Sequence, residues 1–151
     1  YDRVVLTELG PPDSVTVAPA GSADAVLTFR NMHNWMGQGN DVKVMQAAFA
    51  ALKPGGVLGV VEHRAAAGAT LEQVKDSGYM TEEMVIKAAQ AAGFVLEEKS
   101  EINANPRDTR DHPKGVWTLP PSLALGDTDR EKYLAIGESD RMTLRFRKPA
   151  Q

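Results

Sequence analysis

Two short polar clusters hold the side chains best suited to chemistry in this sequence. They are Arg30-Asn31-Met32-His33-Asn34-Trp35 and Glu62-His63-Arg64. Histidine ordinarily titrates near neutrality, so His33 is a candidate general base toward a hydroxyl or an acid; the alternative is a loop histidine bonded to backbone. Glu62 and His63 are neighbours, and on an extended strand neighbours point to opposite sides, so only one of them is expected to enter a given pocket. Glu62 is the favoured member, and its alternative role is an ion pair with Arg64 or Arg30. Trp35 could wall an apolar pocket, although a partly buried indole with its N–H satisfied is the commoner fate. His33, Glu62 and His63 include metal-ligand types, but they fall on different loops without a spacing such as H-x-x-x-H, so no metal is expected. A third group, Asp111, His112 and Trp117, could form a lid over a substrate. Ser122 lies near His112 but lacks a G-x-S-x-G context, which leaves a hydrolase or lyase working through His33, His63 or His112 as a distant alternative.

The elements that would position these clusters follow from periodicity. Arg3 to Leu9 is a β-branched run stopped by Gly10-Pro11-Pro12 and is expected to be a strand. Ala25 to Phe29 and Val57 to Val61 are nearly continuous apolar runs, as in parallel strands covered on both faces. Between them Val42, Met45, Ala48, Phe49 and Leu52 recur at helical spacing, so a helix is expected over Asp41 to Leu52, stopped by Lys53-Pro54-Gly55-Gly56. Thr70-Leu71-Glu72-Gln73 has the spacing of a capping box, and Thr81 can cap a helix that ends at Gly93 with Met84, Val85, Ala88 and Ala92 inward. Phe94 to Ile102 reads as a strand. Met142 to Arg147 alternates apolar and polar, as a half-buried antiparallel strand does. Asn103 to Asp129 is a long, proline-containing loop or insertion. Both polar clusters then sit at the C-terminal ends of strands, where open α/β sheets bind ligands.

Bulk properties remove several classes of function. The 151 residues suffice for one domain with a real core, and 42% hydrophobic with 25% charged residues is ordinary for a globular chain. A net charge of −3 argues against a nucleic-acid partner, which would require a basic face. No apolar run approaches the roughly 20 residues of a membrane span, so no membrane partner is expected. The absence of cysteine excludes disulfides and thiolate chemistry and fits either redox compartment; the cytoplasm is the expected location.

The stretch ADAVLTFRNMHNW, a helix, LKPGG and then VLGVVEHR resembles the middle of a class I S-adenosylmethionine-dependent methyltransferase. RNMHNW together with VEHR is most similar to a group of bacterial predicted methyltransferases of uncertain substrate. The resemblance covers about residues 1 to 102 and returns at the terminal strand. It implies a single partial Rossmann-like domain over 1–151 with an insertion at about 103–129. The fold class is α/β, an incomplete methyltransferase sheet, mostly parallel with an antiparallel C-terminal strand and helices on both faces. It further implies S-adenosylmethionine as cofactor, with Phe29, Arg30 and Asn31 at its methionine end. His33, Asn34, Trp35, Glu62 and His63 would face a small-molecule methyl acceptor, and Arg64, His112 and Trp117 would add substrate contacts.

The glycine-rich turn and the acidic ribose ligand of that family would lie upstream of these residues; Gly37-Gln38-Gly39 follows a loop and does not replace them. In such a sheet the first strand flanks the fourth. Its absence would leave Ala25 to Phe29 with a free edge that invites a second copy, and a homo-oligomer is expected. The expected activity is methyl transfer to a small molecule, in which positioning supplies most of the catalysis. The alternative is a non-catalytic remnant or assembly module with a repurposed pocket.

Overall fold

The structure is a computed structural model that describes residues 2–150. Four strands form one sheet: β1 (Ala23–Phe29), β2 (Leu52–His63), β3 (Val95–Ser100) and β4 (Arg141–Arg147), in the spatial order β1-β2-β4-β3. β1 and β2 are parallel, and β4 runs antiparallel to both β2 and β3, so three strands share one direction and the terminal strand opposes them. This is the expected α/β sheet with its antiparallel closing strand.

The helices are α1 (Met32–Gly37), α2 (Asp41–Ala51), α3 (Leu71–Val74), α4 (Glu82–Ala91) and α5 (Arg130–Ile136). Alternation along β2 and β4 sends Leu58, Val60, Met142, Leu144 and Phe146 to one face. There they pack with Met32 of α1, Met45 and Ala48 of α2, and Val85, Ala88 and Ala89 of α4. Each large apolar side chain buried in this way contributes about 1.5–3 kcal/mol. Helices were expected on both faces, and among the described residues this sheet is packed by them on one. Leu27, 62% exposed, and Phe29 point to the other side, beside Val57, Val61 and Arg145, which line an open groove there. β1 ends the sheet, as expected of a strand with a free edge.

Local capping signals are realised. Thr70 and Gln73 make the reciprocal capping box at α3, and the Met84 N–H donates to Thr81 Oγ1 at the start of α4. Other expectations need correction. Arg3 to Leu9 forms no strand: Val4, Val5 and Leu6 are exposed, and no neighbouring strand completes a ladder for a run whose β preference depends on having one. The Lys53–Gly56 stop does not separate helix from strand. β2 begins at Leu52, directly after α2, and a register shift opposite Ala23–Ala25 absorbs the extra residues. The loop after β3 contains a 3-10 turn at Gly115–Thr118, and α5 follows it. No helix among the described residues is long and apolar enough to cross a membrane.

Candidate active site

The chain leaves β1 through Arg30, whose φ of 57° lies in the left-handed region. Its N–H donates to the Val61 carbonyl at 2.7 Å, so the turn is pinned to the end of β2. A non-glycine residue held there costs roughly 1–2 kcal/mol, and such strain commonly marks a site that needs a fixed geometry. The turn aims directly into α1, where the sequence was read as a loop. The missed signal was Met32, Trp35 and Met36 at spacings of three and four: Met32 is fully buried, and the other two pack against the same core. That packing turns His33 and Asn34 away from the core toward the strand ends.

Glu62, 0% exposed, organises what lies there. One of its oxygens accepts the His33 backbone N–H at 2.9 Å, and the other accepts the His63 backbone N–H at 2.8 Å. His33 Nδ1 is 3.1 Å from each oxygen. A carboxylate accepts only, so Nδ1 must carry a hydrogen, and in the neutral imidazole Nε2 then carries the lone pair. Glu62 therefore satisfies a first-turn N–H of α1 and fixes the tautomer of His33 at the same time. The alternative role for Glu62, an ion pair with Arg64 or Arg30, is not seen among the described residues.

Of the two neighbours only His63 lines a cavity with His33, as one of them was expected to, and it is not Glu62, the favoured member. The ladder runs regularly through both residues, so Glu62 falls on the face of Leu58 and Val60, where it is fully buried, and His63 on the face of Val61. The His33 and His63 rings lie 5.6 Å apart. His63 Nδ1 is 2.5 Å from Ser139 Oγ. Burial is the main cause that lowers the His63 pKa to about 3; Arg141, Arg30 and, whenever it is protonated, His33 lower it further, against an opposing effect of Asp108. The fold thus gathers His33, Glu62 and His63, each with a ligand-type atom within 4.8 Å of the others, although their sequence spacing gave no such sign. Both Glu62 oxygens already accept N–H donors, so a metal there would have to displace them.

Two cavities flank this cluster. One, of about 400 Å³, is lined by Phe29, Arg30, Asn31, His33, Asn34, His63 and Trp117. The other, of about 320 Å³, lies along β1 and is lined mainly by apolar side chains, among them Val26, Trp35, Val44 and Met45, with Thr28 and Asn31. Phe29 and Asn31 line both. Trp35, expected at an acceptor pocket, stands in the second cavity. Trp117 takes the corresponding place in the first, edge-on to His33 at 6.1 Å.

Trp117 reaches that position because its loop is clamped. The Val116 N–H donates to the Ser77 carbonyl at 2.9 Å, and a Cβ on Gly115 would stand 2.1 Å from that same carbonyl oxygen. Beneath the loop, buried Asp108 accepts from Tyr79 Oη at 2.8 Å, pairs with His112 Nε2 at 2.7 Å and accepts the Asp140 N–H at 2.8 Å. Asp108 has no local signature in the sequence, since its partners lie up to 32 residues away.

His112, expected to touch substrate, has its side chain turned inward against Asp108 and Tyr133 and does not line either cavity. Arg64 is similarly committed: its guanidinium bonds Asp140, Glu82 and Glu101. Burial opposes ionisation of Asp140, but Arg64 and Arg110 outweigh it and hold this carboxyl below its ordinary range. Asp111 is exposed and bonded to Thr109, and Ser122 is exposed, with no hydrogen bond joining it to His112 among the described residues.

No family model matches the sequence, and no curated protein matches it. Solved structures do match. A methyltransferase of Methanosarcina mazei described as S-adenosylmethionine-dependent is 10% identical with a TM-score of 0.57, covering 89% of this chain and 63% of its own. A protein of Galdieria sulphuraria assigned as a sarcosine dimethylglycine methyltransferase is 16% identical with a TM-score of 0.57, covering 88% and 56%. SpnF, a 4+2 cyclase, is 20% identical with a TM-score of 0.56, covering 89% and 53%. This chain spans little more than half the length of these three. Identities this low speak to fold, and a fold shared by a cyclase and by methyltransferases does not by itself fix a reaction. The chain has the fold of class I S-adenosylmethionine-dependent methyltransferases.

Proposed function

We propose that this chain forms the acceptor-side part of an S-adenosylmethionine-dependent methyltransferase acting on a hydroxyl or acid group of a small molecule. The observation that carries the reading is the Glu62–His33 pair at the C-terminal ends of β1 and β2, with His33 lining a cavity. The cavity along β1 is where the cofactor would sit. It is largely apolar, and Thr28 Oγ1, buried and without any hydrogen-bond partner, belongs to a residue that lines it. A buried hydroxyl left unpaired is costly, and a polar group of a ligand would satisfy it. Thr28, Phe29 and Asn31 would hold the methionine end, with Arg30 at the turn beside them. Bound there, the cofactor would supply a sulfonium methyl group whose C–S electron pair stays with sulfur when an acceptor oxygen takes the carbon.

The residues of this chain do the rest. Asn34 and Trp117 bound the acceptor, and His33 Nε2 takes the hydroxyl proton while Glu62 steadies the charge that develops on the imidazole. A base placed in this way contributes about 10²–10⁴-fold. Calorimetry with adenosylmethionine, on a sample whose residues are established by intact mass, tests the reading. Saturable binding that is weakened by Thr28→Val and Asn31→Ala is the expected result. A folded chain that binds no adenosylmethionine overturns it in favour of a non-catalytic module.

A further inference from the structure

His33 and His63 line one cavity, yet the partners of their Nδ1 atoms differ in kind. Glu62 can only accept from His33, which in the neutral ring leaves the His33 Nε2 lone pair to the cavity. Ser139 is buried, and His63 Nδ1 is the partner its hydroxyl has. Both groups are satisfied when Ser139 Oγ–H donates to Nδ1, and that arrangement puts the hydrogen of His63 on Nε2. With Nδ1 occupied, Nε2–H is what His63 offers to the cavity. The ring stays neutral because burial above all, with Arg141 and Arg30 nearby, opposes its protonation.

We infer that the two histidines are held in opposite tautomers, so that His33 accepts the acceptor's hydroxyl proton while His63 donates to a second oxygen beside it. The inference rests on the proposed methyltransferase reading and deepens it by naming the acceptor class. That class is a planar phenolic or enolic hydroxyl with an ether, hydroxyl or carbonyl oxygen on the adjacent carbon. Ring centroids 5.6 Å apart let both histidines reach one small acceptor, and an oxygen on the carbon next to the hydroxyl is the nearest second partner that acceptor can offer. Trp117, 41% exposed and edge-on to His33, supplies a flat wall for a conjugated group. Arg30 in the same lining favours the partial negative charge of such an oxygen pair.

His63 is thus a specificity-determining donor and Ser139 a positioning residue. Long-range proton–nitrogen NMR on the full chain with ¹⁵N-labelled histidine reads the tautomers directly. At neutral pH His33 is expected as Nδ1–H and His63 as Nε2–H, and Ser139→Ala is expected to abolish the preference at His63 while leaving His33 unchanged. Titration with 2-methoxyphenol and 4-methoxyphenol, followed by the same resonances, reads the specificity. Their hydroxyls are alike, and only the first places an acceptor oxygen alongside. The 2-isomer is expected to bind roughly tenfold tighter, the factor for one well-made hydrogen bond, and His63→Phe to remove the difference. His63 found as Nδ1–H, or equal affinity for the two isomers, overturns the inference. A chain that shows both signatures but binds no adenosylmethionine instead refutes the methyltransferase reading and leaves the paired recognition standing.

Discussion

Acid should unfold this protein through His63 before its carboxylates titrate. The folded pKa of His63 is about 3, against 6.5 for the ordinary group that the unfolded chain presents. Between those values the unfolded state takes up a proton that the folded state refuses. The contribution of this neutral histidine is complete above pH 6.5 and is lost progressively as the pH falls toward 3. Between pH 7.5 and pH 5 the loss from this group alone is about 2 kcal/mol, from the ratio of proton-binding terms in the two states. That is a large fraction of the roughly 5–15 kcal/mol that holds a domain together. Denaturant unfolding at the two pH values, on the wild type and on His63→Gln, isolates it. Glutamine can still accept from Ser139 through its carbonyl oxygen but has no proton to gain. The wild type should lose about 2 kcal/mol more than the variant over this interval. Equal losses in the two proteins would refute the reasoning, because the imidazole would then titrate alike folded and unfolded.

Other perturbations test the remaining geometry. Glu62→Ala leaves the backbone N–H groups of His33 and His63 buried without an acceptor and should cost about 2–5 kcal/mol in denaturant unfolding. Glu62→Gln keeps one carbonyl oxygen, so one of the two backbone N–H groups loses its acceptor, and it can present an amide N–H to His33 Nδ1, which moves the hydrogen to Nε2; unfolding should cost about 1–3 kcal/mol, and methyl-transfer kcat should fall about 10²-fold or more with KM less affected. Gly115→Ala sets a methyl group against the Ser77 carbonyl at a φ of 56° and should cost more than about 1–2 kcal/mol, with altered fluorescence from the displaced Trp117. Excess zinc should leave the thermal midpoint unchanged, since Glu62 has no free oxygen lone pair aimed at a shared ion; saturable zinc binding lost in His33→Ala would assign the cluster to a metal instead.

The parts of this fold that were legible in the sequence are those specified locally. Thr70 with Gln73, and Thr81 ahead of Glu82 and Glu83, announce their helices because a cap and its N–H partner are three residues apart. The apolar runs of β1 and β2 and the alternation of β4 announce strands because side-chain direction is fixed by position along the strand. Arg3 to Leu9 carries the same local signature and fails, because a strand also requires a neighbour that no local pattern supplies. α1 is legible in principle through Met32, Trp35 and Met36, but the polar His33 and Asn34 between them suggest a loop.

For the site, residue type and position at strand ends sufficed to single out His33, Glu62 and His63. The rest depended on contacts far apart in sequence: His63 with Ser139, Asp108 with Tyr79 and Asp140, and Gly115 against Ser77. Those contacts decide that His112 faces inward and that Trp117 stands over the cavity. They also bear on the choice between a structural and a chemical role for Glu62. The same two oxygens satisfy the start of α1, the end of β2 and the imidazole of His33, so truncating Glu62 would lower stability and activity together and distinguish nothing. Removing the imidazole and leaving the carboxylate separates the two roles, because both backbone N–H groups then keep their acceptors. If activity falls in His33→Phe while the unfolding midpoint holds, the imidazole is present for the chemistry and its pairing with Glu62 is not merely a support for the helix.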